Sequence, residues 1–345
     1  MLSRRTVRAV RAVATRIVWI LVVVWAAGSL TFLLSRVVPA DPARLAAGLN
    51  AGPEQVAEVR RQLGLDLPLW QQYLNYWGGI LRLDFGDSVQ SRQPVLGDVL
   101  HYLPATLELV LLALVIYAVA GVGLGVLWAT LPAGIRSWCL NALSVIGAGV
   151  PVFWIALVLQ LLLASGLGWL PVSGAVDLSL YGLDRITGFT LLDTVLQFNT
   201  YAMVDAAAHL VMPVTVLVLA QLGVAMRLTR SAVSDQLTLP YVRAARARGG
   251  EPGRVMRVDV MRNALPPVIT MLGLQFGWLL GGTIIVEVVF SWPGLGLFAY
   301  NAFRTFDYNA ILAITLIITF VFVLVNELTD FINSRLDPRV RGAST

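Results

Sequence analysis

The chain has 345 residues, of which 57% are hydrophobic and only 13% are charged. Soluble domains usually carry about a quarter charged residues, so a single soluble core cannot hide this much apolar surface and lipid is the expected solvent. The formal charge of +5 does not indicate nucleic acid as a partner, because an arginine bias typical of membrane proteins accounts for it. Cys139 is the only cysteine, so an intrachain disulfide is excluded.

Six apolar stretches each approach the roughly 20 residues that a helix needs to cross a hydrocarbon core about 30 Å thick. The predicted spans are 17–35, 105–131, 138–166, 209–228, 266–290 and 310–332. Helices satisfy their own backbone groups in lipid, so the sequence predicts an all-α membrane protein. One domain, 17–333, is expected between tails 1–16 and 334–345. We expect the first stretch to be retained rather than cleaved, because no small-residue cleavage site follows it directly.

The arginines predict how the chain crosses the membrane. All 25 basic residues are Arg, and with the N-terminus inside, 17 of them fall on inner segments and 8 on outer ones. Because positive residues favour the cytoplasmic side, both termini are predicted to be cytoplasmic. The long loops 37–103 and 168–208 then face outward, and the large loop 231–265 faces the cytoplasm.

Several kinds of chemistry are absent from the sequence. A P-loop needs a lysine for the terminal phosphates, and this sequence contains no lysine, so any ATP that drives the protein must bind to another chain. His101 and His209 are far apart and form no metal-ligand pattern. Neither HExxH nor GxSxG occurs, which argues against a membrane enzyme. We therefore expect no catalytic residue, metal or cofactor in this chain.

Four acidic residues lie in or near the predicted spans: Glu108, Glu287, Glu327 and Asp330. An acid inside a membrane is costly, so a transport role is a reasonable default hypothesis. Glu108 and Asp330 are expected at interfaces, where they are solvated or paired. Glu287 is the candidate for the pathway; the alternative is a hydrogen bond that fixes the outer end of the fifth helix.

Small residues in the spans predict close helix packing. Gly273, Gly277 and Gly281 recur every four residues, so they share one face of the fifth span. That face can pack within the subunit or against a partner subunit, and the sequence leaves both open. Pro151 is expected to kink the third span, and the glycines of the second span are expected to loosen it.

The inner loop has the pattern of a helix, a turn and a second helix. Residues 241–249 read YVRAARARG, and the glycines and proline of 249–253 interrupt the helix. A second helical stretch, 254–264, leads to Pro266, which suits the first turn of the fifth span. An ordinary basic loop held at anionic headgroups would have the same composition.

This loop resembles the EAA loop of ABC importer permeases. Ala244, Ala245 and Gly249 fall on its motif positions, and Arg243 stands where an acidic residue often sits. The resemblance implies that the helix beginning near Tyr241 couples to an ATPase. Both alanines are then expected on the docking face, and Gly249 is expected to end the helix.

The resemblance extends over nearly the whole chain. Its landmarks are PADP at 39–42, LGLD at 63–66, LPATLEL at 103–109, GWLP at 168–171, LTRS at 228–231, YVR at 241–243, RNAL at 262–265, FSWPGLG at 290–296 and LDPR at 336–339. The ordered set resembles the B-type permease subunit of dipeptide, oligopeptide or nickel ABC importers. The outer segment 176–208 looks longer than in many relatives.

The resemblance implies a type I importer permease in the bacterial inner membrane, supplying half of a translocation pathway. The implied partners are a C-type permease, two ATP-binding domains on one or two chains, and an extracytoplasmic substrate-binding protein, with ATP and Mg bound by the ATPase. Peptides, nickel chelates and haem remain open as substrates. The alternative is a proton-coupled secondary transporter acting through Glu287 or Glu327, for which the sequence offers no inverted repeat.

Overall fold

The computed structural model describes residues 4–37, 42–47, 51–62 and 64–336. Regular structure in these ranges is helical, apart from one antiparallel bridge between Asp87 and Pro94. Of the predicted tail 334–345, residues 337–345 lie outside the described residues. Positions 39–41 and 63 of the sequence landmarks also lie outside them. Residues 4–16 of the predicted N-terminal tail are helical and continue directly into the first span.

The helices follow the apolar stretches and add several shorter elements. In chain order they are α1 (Arg4–Val37), α2 (Pro42–Ala47), α3 (Pro53–Gln62), α4 (Leu69–Leu81), α5 (Val95–Thr130), α6 (Ile135–Gly149), α7 (Val152–Leu159), α8 (Thr190–Leu196), α9 (Thr200–Leu237), α10 (Pro240–Ala247), α11 (Pro252–Arg254), α12 (Met261–Val289), α13 (Leu295–Thr305) and α14 (Tyr308–Leu336). A π-helical segment extends α7 over Gln160–Gly166, and another joins α11 to α12 over Val255–Val260.

Five helical segments of the described chain are long and apolar enough to cross a membrane. They are Ala14–Ser35, Val95–Thr130, Thr200–Leu237, Pro252–Val289 and Tyr308–Thr329. They coincide with the first, second, fourth, fifth and sixth predicted spans, which confirms the helical membrane class.

The third predicted span is divided at Pro151. Helix α6 ends at Gly149, and α7 begins at Val152 after Pro151 takes a φ of −59° and a ψ of 138°. Proline lacks an N–H and disfavours helical geometry in the residue before it, so the helix stops here. The predicted kink is confirmed, and it is a full break.

The helix that carries the fifth span begins earlier than the sequence suggested. Pro266 was expected to start it, but α12 runs through Pro266 and Pro267 and is continuous with the helical segment from Pro252. That expectation is wrong. Membrane helices tolerate internal proline, because neighbouring groups can satisfy the freed carbonyls.

The chain forms two compact units. The first contains residues 1–106 and 293–324, and its core joins the start of α5 to α13 and the start of α14. Val99, Leu295, Phe298 and Ala310 are buried there. The fully buried carboxylate of Asp307 accepts hydrogen bonds from the Ser88 hydroxyl at 2.6 Å and the Ala310 N–H at 3.2 Å. It therefore ties the 84–94 segment to the first turn of α14.

The second unit contains residues 107–292 and the described residues from 325 to 336, and it is organised around α9, which packs against α6, α7, α8 and α12. Glycines allow the backbones of α6 and α9 to approach each other closely. A Cβ on Gly223 would lie 2.0 Å from the carbonyl oxygen of Ser144, and one on Gly147 would lie 2.4 Å from that of Leu219. Small residues allow such backbone contact between membrane helices.

Two glycines of α5 serve the same purpose. A Cβ on Gly121 would lie 2.4 Å from the Cβ of Ala225, and one on Gly125 would lie 2.5 Å from the Cβ of Thr229. The expectation that these glycines loosen the second span is therefore wrong. They bring α5 against α9, because a larger side chain would hold the two helices apart.

Candidate coupling site

Helix α10 stands between two long helices of the second unit. After α9 ends at Leu237, Leu239 is extended, with a φ of −73° and a ψ of 148°. Pro240 then occupies the first helical position of α10, where its fixed φ suits the helix and its missing N–H costs nothing. The chain therefore reverses sharply and starts a new helix within three residues of α9.

The end of α10 is a Schellman turn. The N–H of Gly250 donates to the carbonyl of Ala245 at 3.1 Å, and the N–H of Gly249 donates to that of Arg246 at 3.0 Å. Gly249 has a φ of +80°, in the left-handed region that glycine adopts without steric cost. A Cβ on Gly250 would lie 2.8 Å from the Ala245 oxygen and 2.9 Å from the Val255 side chain. Both glycines are thus required by this turn.

One face of α10 is packed into the protein. Val242 is fully buried and Ala245 is 8% exposed, and both join a hydrophobic cluster with Val233, Val255 and Val260. Ala244, by contrast, is exposed. The expectation that both alanines lie on an outer docking face is therefore wrong for Ala245. Its small side chain lets α10 lie close to the rest of the loop.

Two polar side chains tie α10 to its neighbours. The hydroxyl of Tyr241 donates to Oε1 of Gln236 at 2.7 Å and accepts from Nδ2 of Asn263 at 3.2 Å, so it bridges α9 and α12. The guanidinium of Arg243 donates to the carbonyl of Thr238 at 2.9 Å, which satisfies a free carbonyl at the end of α9. These contacts and the apolar cluster hold α10 as one piece with the ends of both long helices.

The exposed surface of α10 is positively charged and sterically open. Arg243, Ala244, Arg246, Ala247 and Arg248 are exposed. Arginine presents planar, bidentate donors that suit carboxylates. The short side chains of the intervening alanines let a partner approach the helix backbone closely. The arrangement can receive an acidic partner surface directly against the helix.

Two further arginines brace the same end of the second unit. Arg227 donates to the Ser144 carbonyl at 2.8 Å, and the guanidinium of Arg230 lies 4.1 Å from the centre of the Trp128 ring. The Trp128 indole N–H donates to the Ser137 hydroxyl at 2.9 Å. These contacts could not be predicted from the sequence, since two of them join residues more than 80 positions apart and the third depends on side-chain rotamers.

Most of the chain matches two families of known transport proteins. Residues 121–342 match the family described as "Binding-protein-dependent transport system inner membrane component". Residues 9–110 match the N-terminal membrane component of the same transport systems. The chain belongs to this family. It is therefore an inner-membrane permease of ABC importers, not an enzyme.

Individual relatives agree along most of the permease. The di/tripeptide transport system permease protein DppB of Pseudomonas aeruginosa (strain UCBPP-PA14) is 40% identical over 313 residues, covering 90% of this chain and 93% of that protein. The dipeptide transport system permease protein DppB of Escherichia coli (strain K12) is 38% identical over 315 residues, with the same coverage. The predicted resemblance to B-type permeases of peptide importers is confirmed. An inward-facing structure of the MetNI methionine ABC transporter aligns with 67% of this chain and 91% of that chain, at 19% identity and a TM-score of 0.45.

The candidate pathway acid of the permease is enclosed. Glu287 has no exposed surface in α12, and its side chain or backbone is engaged in contacts within the chain. The N–H of Trp292 donates to its carbonyl at 2.9 Å, which closes the end of the helix. This position favours the alternative interpretation, in which Glu287 fixes the outer end of the fifth span.

The glycine stripe of the permease has two different environments. A Cβ on Gly273 would lie 2.4 Å from Thr329, so this glycine packs α12 against α14. Gly277 is half-buried, whereas Gly281 is exposed and a Cβ there would meet nothing within 4 Å. One end of the stripe thus serves packing within the chain, and the other end is available to a partner.

The remaining acids of the spans are partly accounted for. Glu108 is 4% exposed, and its carboxylate accepts two backbone N–H groups at the start of α8. Glu108 is therefore paired rather than solvated, and its expected place at the membrane interface stays a prediction. Glu327 is half-buried in α14, and the side chain of Asp330 lies outside the described residues.

Proposed function

We propose that this permease supplies half of the translocation pathway of an ATP-driven importer. The proposed cargo is a di- or oligopeptide, or a related small ligand such as a nickel chelate or haem. Peptides are favoured, because both DppB relatives carry di- or tripeptide transport in their names and align over 90% of this chain.

The proposed topology has six passages with both termini cytoplasmic. Five are the continuous apolar helices, and α6 and α7 together form the third passage across the break at Pro151. The excess of arginines on the inner segments, 17 against 8, supports this orientation.

The proposed complex contains a C-type permease, two ATP-binding domains on one or two chains, and a substrate-binding protein outside the membrane. ATP and Mg would bind to the ATPase subunits. The observation that carries the coupling proposal is that α10 has one buried face and one exposed, charged face. Val242 and Ala245 lock its inner face to α9 and α12, and its outer face presents exposed arginines. An ATPase that moves this helix would move both long helices with it.

The charge of α10 specifies the surface that it would meet. Arg246 and Arg248 are exposed in its last turn and beyond it, where cations also complement the negative end of the helix dipole. We therefore expect an acidic cleft on the ATPase. Removing one partner of a buried, hydrogen-bonded charge pair costs about 2–5 kcal/mol, or roughly 30-fold or more in affinity.

Charge reversal at Arg246 tests this docking. The variant Arg246→Glu is expected to lose the ATPase subunits during co-purification, while the permease itself remains folded. The matched control is Arg136→Glu, an exposed arginine at the start of α6 that is expected on the same side of the membrane. Equal retention of the ATPase by both variants would contradict docking through α10 and favour a loop held only at lipid headgroups.

The secondary-transporter alternative lacks comparable support. It needs an acid that exchanges protons with the pathway; Glu287 has no exposed surface, and only Glu327, which is half-buried in α14, is left as its candidate. Membership of a family of binding-protein-dependent systems also favours the importer.

A further inference from the structure

The outer segment 176–208 contains an element that is fixed to α5 by a buried acid. Both carboxylate oxygens of Glu108 accept backbone hydrogen bonds, from the Leu191 N–H at 2.7 Å and the Thr190 N–H at 3.0 Å. These are the first N–H groups of α8, which have no partner within the helix. Glu108 thus caps α8 and holds its start against the side of α5.

A second buried acid shapes the turn before α8. Asp193 is fully buried, and its carboxylate accepts hydrogen bonds from the Thr187 N–H at 2.8 Å and the Gly188 N–H at 3.1 Å. The only acid of α8 therefore points inward, as does the acid that caps the helix. The outer face of α8 is left without charge.

That outer face is apolar and exposed. Leu192, Val195 and Leu196 follow helical spacing and are 44%, 45% and 48% exposed. Two aromatic residues that follow the helix are also exposed, Phe198 at 92% and Tyr201 at 85%. Exposed apolar groups in this number mark a surface that is covered by another apolar phase or partner.

A groove lies between α8 and α5. Its volume is about 270 Å³, and it is lined by Leu111, Leu112, Phe189, Leu191, Leu192 and Val195 above the side chain of Glu108. Glu108 offers little polarity to a ligand here, because both its oxygens already accept hydrogen bonds from α8. The groove suits a narrow hydrocarbon chain.

An exposed apolar strip of α5 leads into the groove. Leu111, Val115 and Val119 share one face of the helix and are 43%, 60% and 71% exposed. All three lie within the predicted span 105–131, the part of α5 that is expected in hydrocarbon. The groove begins at Leu111, so it continues this strip toward the outer end of the predicted span.

We propose that α8 is an interfacial helix lying at the membrane boundary, and that the groove between α5 and α8 holds a phospholipid acyl chain. Tyr201 then sits at the depth where tyrosine is enriched, and Phe198 adds an apolar contact beside it. Glu108 sets the angle of the element, and the apolar face of α8 supplies the contact with lipid. The proposal rests on the membrane placement of α5 and is independent of the importer's cargo.

Depth-dependent fluorescence quenching tests the proposal. In a Cys139→Ser background, Val195→Cys and Phe198→Cys would carry an NBD fluorophore in the assembled transporter, reconstituted into phosphatidylcholine nanodiscs. Ser173→Cys is the control, because it is an exposed polar position of the outer loop 168–208 and lies outside α8. Lipids with a spin label high on the acyl chain are expected to quench the probes at 195 and 198 more strongly than deep-labelled lipids. Aqueous iodide is expected to quench only the probe at 173.

A second variant separates the tether from the apolar face. Adding Glu108→Ala should free the start of α8, so quenching by the shallow lipid label is expected to fall at position 195 while the helices of the unit persist by circular dichroism. Iodide quenching of the probes at 195 and 198 in the protein that retains Glu108 would overturn the proposal. Lipid quenching that appears in the isolated permease but vanishes in the complex would overturn it too, since a partner subunit would then cover the groove.

Discussion

At the scale of single residues, the turn after α10 is the most constrained feature of the coupling site. Gly249 adopts a φ of +80°, and the N–H of the following Gly250 is bound to the carbonyl of Ala245. Sequence reasoning predicted that Gly249 ends the helix, because glycine is the usual residue where a helix terminates in the left-handed region. The side-chain environment of the turn needed the structure, since Val255 approaches Gly250 from beyond the turn.

Gly249→Val is expected to strain this turn by about 1–2 kcal/mol, because a β-branched residue is a steric outlier at positive φ. Amide hydrogen exchange at Gly250 should then be roughly 5- to 30-fold faster. Ala247→Val is the control, since it adds the same side chain to an exposed helical position of the same element. Unchanged exchange in the Gly249 variant, or equal acceleration in both, would contradict a strained left-handed turn.

At the scale of elements, α10 shows where a sequence pattern stops being informative. Alanine occurs at 244, 245 and 247, so the alanines alone do not identify an inner face in a helix of eight residues. Val242 and Ala245 are three residues apart and lie on the same side, and only the packed valines of α9 and the 255–260 segment show that this side is buried. The motif resemblance located the helix but not its rotation.

Paired substitutions at the two alanines exploit this difference. Ala245→Glu should bury an unpaired charge in the cluster with Val233 and Val255, which is expensive, and should open the loop. Ala244→Glu should leave the loop closed, because that side chain is exposed. Limited trypsin digestion measures the outcome, as cleavage after Arg246 and Arg248 should accelerate only in the Ala245 variant. Faster cleavage in the Ala244 variant would mean that α10 is rotated about its axis, so that Ala244 rather than Ala245 faces the apolar cluster.

The glycine stripe of α12 gives a second pair at this scale. Gly273→Ala must displace the side chain of Thr329, and such overpacking typically costs 1–3 kcal/mol, so we expect about that loss of stability. Gly281→Ala meets nothing within 4 Å and should gain about 1 kcal/mol from better helix propensity. Thermal unfolding of the purified permease, followed by circular dichroism, should move in opposite directions. A melting temperature that shifts in the same direction in both variants would contradict the packed environment of Gly273 and the open environment of Gly281.

At the scale of the whole molecule, the apolar runs predicted most of the helical architecture, because helices in lipid must be long and continuous. The break at Pro151 was also readable, since proline acts through its own backbone. The pairing of Glu108 with Thr190 and Leu191 was not, because it joins positions more than 80 residues apart. The tight contact of Gly223 with Ser144 also joins distant positions, and a glycine alone does not show what approaches it.

The central claim is that ATP hydrolysis by partner subunits, transmitted through α10, drives import through this permease. The most direct measurement is uptake of a labelled dipeptide by proteoliposomes that contain both permeases, the ATPase subunits and the binding protein. The account predicts uptake that requires ATP and loaded binding protein, persists with a protonophore and is lost when Arg246→Glu releases the ATPase. Uptake driven by a proton gradient without ATP, or unimpaired ATP-driven uptake by the Arg246 variant, would contradict it.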